Sequence, residues 1–280
     1  MDAAPSFVIV GHVTLDVVGN DFVVGGTATY AGLMAHNLGE AVGVVTSAPI
    51  DFDFERALPG IQVQNSPSRN TTTFENSYID GRRVQYIRAV ADPLDGSAIP
   101  VGWRGAQTAL LAPLANEVGP NVESTFAGTF RAATPQGWLR RWGNDGLVRL
   151  EGWDGLLDRL SHLDAVILSE DDVKRDAATI DRLRRSIQRL VVTRGSRGSV
   201  LFDKGIAHEF AAFPTIEVDP TGAGDVFAAA FLVEFGRTGD AGHACTFANC
   251  AASFAVEAIG ANGVPTIEQI RDRLRVNKRG

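Results

Sequence analysis

Short apolar runs and helical patterns alternate along most of this chain. Phe7 to Val10, Val42 to Thr46, Ala109 to Ala112, Phe126 to Thr129, Ala165 to Leu168, Leu190 to Thr193 and Ser199 to Phe202 are of strand length and largely apolar. Continuous apolar runs of that length predict strands buried on both faces. Between several of them lie helical patterns, Thr29 to Leu38, Trp153 to Leu160 and Ala177 to Arg189. The alternation predicts βαβ units, and hence an α/β fold with a central, mostly parallel sheet flanked by helices. The last third turns helical: Asp225 to Phe235, Ala241 to Ile259 and Ile267 to Val276.

One region breaks this rhythm. Thr71 to Ile79 and Val84 to Val90 are β-branched and aromatic, with Asp80-Gly81 between them, a hairpin signal. Leu15 to Val24 is a further extended run just after the first strand. These runs predict a small antiparallel sheet, built from about residues 14–25 and 70–92, projecting as a lid over the carboxyl ends of the parallel strands. The whole chain, 1–280, then reads as a single α/β domain with lid segments. The charged segment Arg140 to Glu151 reads as a surface loop.

Composition narrows the function classes. A net charge of −7 argues against a general affinity for nucleic acid or an anionic membrane surface, which reward an excess of Lys and Arg. The N-terminus lacks the basic region of a signal peptide, and no stretch approaches the ~20 apolar residues of a membrane span. A cytoplasmic protein is expected. Cys245 and Cys250 read as small core residues of a reduced compartment.

The most informative string is Asp219-Pro220-Thr221-Gly222-Ala223-Gly224-Asp225, followed by an apolar helix. A glycine-rich turn feeding a helix N-terminus offers free amides and the positive end of a dipole, which is an anion site. A carboxylate on that turn can take a proton from an alcohol. Read locally, Asp225 is equally an ordinary first-turn Asp.

The full string resembles the carboxy-terminal signature of the ribokinase/PfkB carbohydrate kinases, usually Asp-Thr-x-Gly-Ala-Gly-Asp; Pro220 departs from it. The resemblance implies a ribokinase-like fold and phosphoryl transfer from ATP with Mg²⁺, and admits a monovalent cation. It makes Asp225 the catalytic base and Gly222, Ala223 and Gly224 the anion hole. Asp16, in Gly11-His12-Val13-Thr14-Leu15-Asp16, matches the Asp that binds substrate hydroxyls, and Gly25-Gly26-Thr27 matches the substrate loop. Val192-Thr193-Arg194-Gly195-Ser196-Arg197-Gly198 resembles the segment beside the donor phosphates and ribose. Thr193, Gly195, Ser196, Thr221 and Asn249 are accordingly the nucleotide-side residues.

Three departures bear on the substrate. The family's Asn-x-x-Glu motif falls on Ser169-Glu170-Asp171-Asp172, leaving Asp172 as the water-mediated magnesium contact, or Ser169 as the cap of an acidic helix start. Tyr30 stands where ribose kinases carry Asn, and Thr134-Pro135-Gln136-Gly137-Trp138-Leu139-Arg140 brings Gln136 and Arg140 toward substrate hydroxyls or phosphate. Together with Thr72-Thr73-Phe74-Glu75, these features resemble the branch containing myo-inositol kinases, which implies that Glu117 faces the substrate. The acceptor is expected to be a small sugar or cyclic polyol. A nucleoside acceptor is the alternative among kinases, and a non-catalytic ribokinase-like binding protein the alternative outside them. The chain has no Gly-x-Gly-x-x-Gly after its first strand and no Gly-x-x-x-x-Gly-Lys-Ser/Thr, which excludes the common dinucleotide and P-loop sites. A monomer or a homodimer is expected, the outer face of the lid being the candidate contact.

Overall fold

The computed structural model describes residues 3–79, 82–151, 153 and 155–277. In chain order the elements begin β1 (Phe7–Val10), β2 (Thr14–Val18), β3 (Asp21–Gly25), α1 (Thr27–Asn37), β4 (Val42–Ala48), α2 (Phe54–Ala57) and β5 (Gln62–Pro67). Then come β6 (Thr72–Ile79), β7 (Arg82–Ala89), β8 (Thr108–Leu111), β9 (Phe130–Ala133), α3 (Gln136–Leu139), β10 (Arg140–Arg141) and β11 (Arg149–Leu150). The remainder is α4 (Leu157–Ser161), β12 (Ala165–Ser169), α5 (Ala177–Ser186), β13 (Arg189–Thr193), β14 (Ser199–Asp203), β15 (Ile206–Phe210), α6 (Ala223–Thr238), α7 (Ala241–Ala255) and α8 (Ile267–Asn277).

Among the described residues, nine strands make the main sheet in the order β15-β14-β13-β12-β9-β8-β1-β4-β5. From β5 to β13 every pairing is parallel; β14 and β15 add antiparallel at one edge. The apolar runs explain why the sheet is covered twice. Alternate residues of a strand point to opposite faces. Ile9, Val44, Leu110, Ile167 and Val191 pack with α1, α6, α7 and α8. Val8, Val10, Val45, Leu111, Val166 and Val192 pack on the other side with Trp138, Leu160, Leu183 and Ile187. The chain runs one way along the sheet from β1 to β4 and β5, and the other way from β8 through β13. That reversal is the switch point at which open α/β sheets take ligands.

A second sheet, β3-β2-β6-β7, rises where β1 ends. It occupies the expected segments, but its central pair β2 and β6 is parallel, so the sheet is mixed rather than antiparallel. Asp80-Gly81 lies outside the described residues; the strands flanking it pair from Thr73↔Ala89 to Ile79↔Arg82. No described helix is long and apolar enough to cross a membrane.

Four sequence expectations need correction. The strand expected at Phe126 to Thr129 begins at Phe130 instead, because Gly128, at φ 80°, turns the chain; Phe126 is buried from that turn. The helix expected from Trp153 is confined to Leu157–Ser161, and Trp153 fills the core from a loop. Ser169 ends β12 and residues 170–175 form turns, not an acidic helix start, since Asp176 caps α5 by accepting from Ala178 and Thr179. Arg140 to Glu151 is no surface loop: β10 and β11 pair there, and Arg140 is only 7% exposed.

Candidate active site

A cavity of about 750 Å³ opens at the carboxyl ends of the central strands, beneath the small sheet. Asp16, Gly26, Thr27, Tyr30, Gln136, Arg140, Asp172, Thr193, Gly195, Ser196, Thr221, Gly222, Ala223, Gly224, Asp225 and Asn249 all line it. Residues more than 200 positions apart in the chain thus share one wall.

The floor is the start of α6. Gly222 is its N-cap, at φ 82°, and its carbonyl accepts from the amides of Asp225 (3.0 Å) and Val226 (2.9 Å). A Cβ at Gly222 would stand 2.5 Å from the Tyr30 ring, so the glycine is required for two reasons, backbone torsion and the packing of that ring. Asp225 therefore sits in the first turn of a helix whose following residues, Val226 to Val233, are buried. Its Oδ1 accepts from Thr27 Oγ1 at 2.7 Å. Burial pushes the Asp225 carboxyl up to about 6; the Thr27 hydrogen bond and the Arg140 charge pull against this, while Asp172 and Asp16 add to it. Tyr30, 2% exposed, is pushed up by burial and by Asp16, Asp225 and Asp219, which keeps its phenol protonated.

Arg140 is held in place. Its Nη1 donates to the Leu114 carbonyl (2.9 Å), its Nη2 to Gln136 Oε1 (2.6 Å), and its guanidinium lies 5.0 Å from the Phe74 ring centroid. Gln136 in turn donates to Asp172 Oδ1 at 3.0 Å. Oδ2 of Asp172 accepts from the Ser169 amide at 2.9 Å, and burial pushes this carboxyl up as well. Both Asp172 oxygens are thus engaged by the protein. Among the described residues no three His, Cys, Asp or Glu side chains converge on a metal position.

Glu117 is the clearest correction. It does not line the cavity. Its carboxylate, 2% exposed, accepts from the amides of His12 (3.0 Å), Leu114 (3.0 and 2.9 Å) and Ala115 (2.7 Å). It pins together the loops that leave β1 and β8, and through them the strand of Asp16 and the carbonyl that holds Arg140. Gln can offer only one acceptor oxygen to these amides and sets an NH₂ against another N–H. Glu117→Gln is expected to lose about 1–3 kcal/mol of stability, read as a lower urea midpoint; an unchanged midpoint would show that the amides are satisfied otherwise.

Gly25 is likewise off the cavity wall, but it makes room: a Cβ there would meet Asp16 Oδ2 at 2.4 Å. Asn249 lines the cavity while donating to Ser199 Oγ at 2.9 Å. The cavity wall also holds residues that the sequence did not single out, Thr14, Phe74, Gln85 and Leu114 toward Asp16, and Phe213, Pro214, Ala252 and Val256 toward Asn249. Phe74 could have been found: in a strand reading of Thr72 to Ile79, period two sets it on one face with Thr72.

The chain is similar in sequence and in fold to known proteins. The profile of the pfkB family carbohydrate kinases matches residues 153–267. A nucleoside kinase of Methanocaldococcus jannaschii is 30% identical over 129 residues, which span 44% of this chain and 43% of that one. A cytidine kinase of Thermococcus kodakarensis is 27% identical over 250 residues, spanning 82% of this chain and 88% of that one. The fold is that of the ribokinase family: a pyrophosphate-dependent kinase complexed with a pyrophosphate analog and myo-inositol superposes with a TM-score of 0.77 at 24% identity, over 96% of this chain and 99% of that one.

Proposed function

We propose, from the match of residues 153–267 to the pfkB family carbohydrate kinases, that the protein moves the γ-phosphoryl group of ATP onto a hydroxyl of a sugar or cyclic polyol, with a myo-inositol-like ring as the best-matched acceptor. One observation carries this reading. A carboxylate pushed up to about 6 stands in the first turn of α6, in the same cavity as Asp16. A general base works best with a pKa near the operating pH.

In this reading Asp16 accepts the hydrogens of two acceptor hydroxyls. Tyr30 and Phe74 supply flat apolar walls to a ring, and Gln85 a polar contact from β7. Asp225 takes the proton of the attacking hydroxyl. The acceptor oxygen bonds to the γ-phosphorus as the bond to the bridging oxygen breaks, and ADP leaves with that electron pair. The amides of Gly222 and Gly224, at the positive end of the α6 dipole, hold the charge on the moving phosphoryl group, while that of Ala223 donates to the Pro220 carbonyl at 3.3 Å and joins them only by turning from it. Magnesium, the expected companion of ATP, would come with the phosphates and neutralise their charge. Asp172, on the cavity wall, is the side chain that would meet it through water.

The donor end supports a nucleotide. Ala212, Phe213, Pro214, Ala252 and Val256 form an apolar wall beyond the anion hole, with Asn249 beside it. Pyrophosphate would leave that wall unfilled, but the likeness to a pyrophosphate-dependent kinase makes it the donor to test beside ATP. A nucleoside acceptor is the second reading, favoured by the likeness to nucleoside and cytidine kinases and by the two aromatic rings on the wall.

A coupled assay tests all three. Myo-inositol, ribose, fructose, cytidine, adenosine and their phosphates would be offered with ATP or pyrophosphate and Mg²⁺, with and without K⁺. Turnover is expected with ATP and one polyol, and kcat/KM should fall as pH drops below about 6, where Asp225 protonates. Clear ATP binding without turnover of any acceptor would overturn the kinase reading in favour of a non-catalytic binding protein.

A further inference from the structure

Thr27 is the first residue of α1, and Gly26, the N-cap before it, stands at φ 92°. Gly25 and Gly26 lead into it from β3, an edge strand of the small sheet. The Thr27 side chain is buried, and its hydroxyl donates to Oδ1 of Asp225 at 2.7 Å, across 198 positions of sequence. Two residues on, Thr29 Oγ1 donates to the Gly25 carbonyl at 2.7 Å and stabilises the turn itself. The two hydroxyls have separate tasks. A hydroxyl has one hydrogen, and the hydrogen that Thr27 gives to Asp225 is not available to an acceptor molecule. This separates Thr27 from Asp16, with which the substrate-loop resemblance had grouped it.

We propose that Thr27 is a positioning residue for the base: its hydroxyl holds Oδ1 of Asp225, so that Oδ2 alone meets the acceptor's hydroxyl, and it ties the base to the root of the small sheet. The inference rests on the kinase reading of this site and assigns the division of labour within it. Because β3 passes directly into Gly25, Gly26 and Thr27, any shift of that strand when an acceptor binds against Asp16 reaches the base through one hydrogen bond.

The groups that face Asp225 are few. Arg140 comes from β10, Asp172 from the turn after β12, Asp16 from β2 and Tyr30 from α1. Thr27 and Arg140 favour the ionised carboxylate, while burial, Asp172 and Asp16 disfavour it. Removing the Thr27 hydroxyl leaves the Arg140 charge and the positive end of α6 on the favourable side. The carboxyl should then protonate at a higher pH.

Thr27→Val keeps the size and deletes the hydroxyl; Thr27→Ser keeps the hydroxyl and deletes the methyl. Two readouts apply: the acid limb of kcat/KM for the acceptor, and a ¹³C titration of the Asp225 carboxyl in selectively labelled protein. Thr27→Val is expected to move both upward by roughly half to one pH unit and to lower kcat by roughly tenfold, with the donor KM unchanged. Thr27→Ser is expected to track the wild type. The proposal fails if Thr27→Val leaves both midpoints in place, or if Thr27→Ser moves them as far as Thr27→Val does. Thr27→Ala replaces Thr27→Val if the latter does not fold. A wild type that turns over no acceptor would sink the kinase reading alone, because the carboxyl titration needs no turnover to decide the role of Thr27.

Discussion

Asp225→Asn is expected to lower kcat by ~10²–10⁴-fold while leaving donor binding nearly intact, since a general base typically contributes that much and the anion hole is backbone. The same substitution should stabilise the fold at alkaline pH. Burial raises the folded-state value of Asp225 from 3.8 to about 6. A carboxyl raised on folding contributes its stability at low pH, below the unfolded value. That contribution is lost as pH rises through the folded value, where a charge must be held in a poorly hydrated wall. Asn carries no charge and can still accept from Thr27. Urea midpoints should therefore coincide for the two proteins near pH 4 and separate in favour of Asp225→Asn between about pH 4 and 6, remaining apart above. Wild-type turnover in Asp225→Asn would remove Asp225 from the base role. A midpoint gap that does not grow with pH would show that the carboxylate is better solvated than its surroundings indicate.

That one residue can carry both a catalytic and a stability cost explains why the sequence was most legible around it. Asp219 to Asp225 is a local motif, and a glycine turn before an apolar helix specifies its own geometry within a few residues. The main sheet was legible for a similar reason. Phe7 to Val10 and Ala165 to Leu168 are apolar at every position over the length of a strand, as a strand covered on both faces requires. The parts that misled depend on partners far away in sequence. Glu117 resembled a substrate carboxylate, yet its acceptor capacity is taken by amides at residues 12, 114 and 115. Arg140 opens a charged run that looks solvated, but Leu114, Gln136 and Phe74 enclose it from three other segments. Asp172 matched a metal motif by position, and position did not reveal that one of its oxygens accepts from Gln136 and the other from the Ser169 amide. Charge along the chain says nothing of these closures, because each is made only when distant strand ends converge.

Gly222→Ala joins the two halves of the cavity in one measurement. At φ 82° an L residue costs about 1–2 kcal/mol. The new Cβ would also lie 2.5–2.6 Å from Cδ1, Cε1 and Cγ of Tyr30, which must then move. Tyr30 is buried between Asp16 and Asp225, so its displacement disturbs the acceptor wall, and the altered N-cap disturbs the amides and the first-turn carboxylate together. A misplacement of about 1 Å at reacting groups costs on the order of 10²-fold in rate. Gly222→Ala should accordingly lose at least that factor in kcat, and raise the KM of acceptor and donor alike. Tyr30→Leu separates the two causes. Where the steric clash dominates, Gly222→Ala costs less stability in the Tyr30→Leu background than in the wild type, and the two substitutions are coupled. Where the backbone torsion dominates, the cost is the same in both backgrounds, and the Tyr30 ring merely occupies the space that the glycine leaves. The urea midpoints of the four proteins decide between them, and a Gly222→Ala variant with wild-type kcat would show that neither the ring nor the cap is held as tightly as the 2.5 Å approach requires.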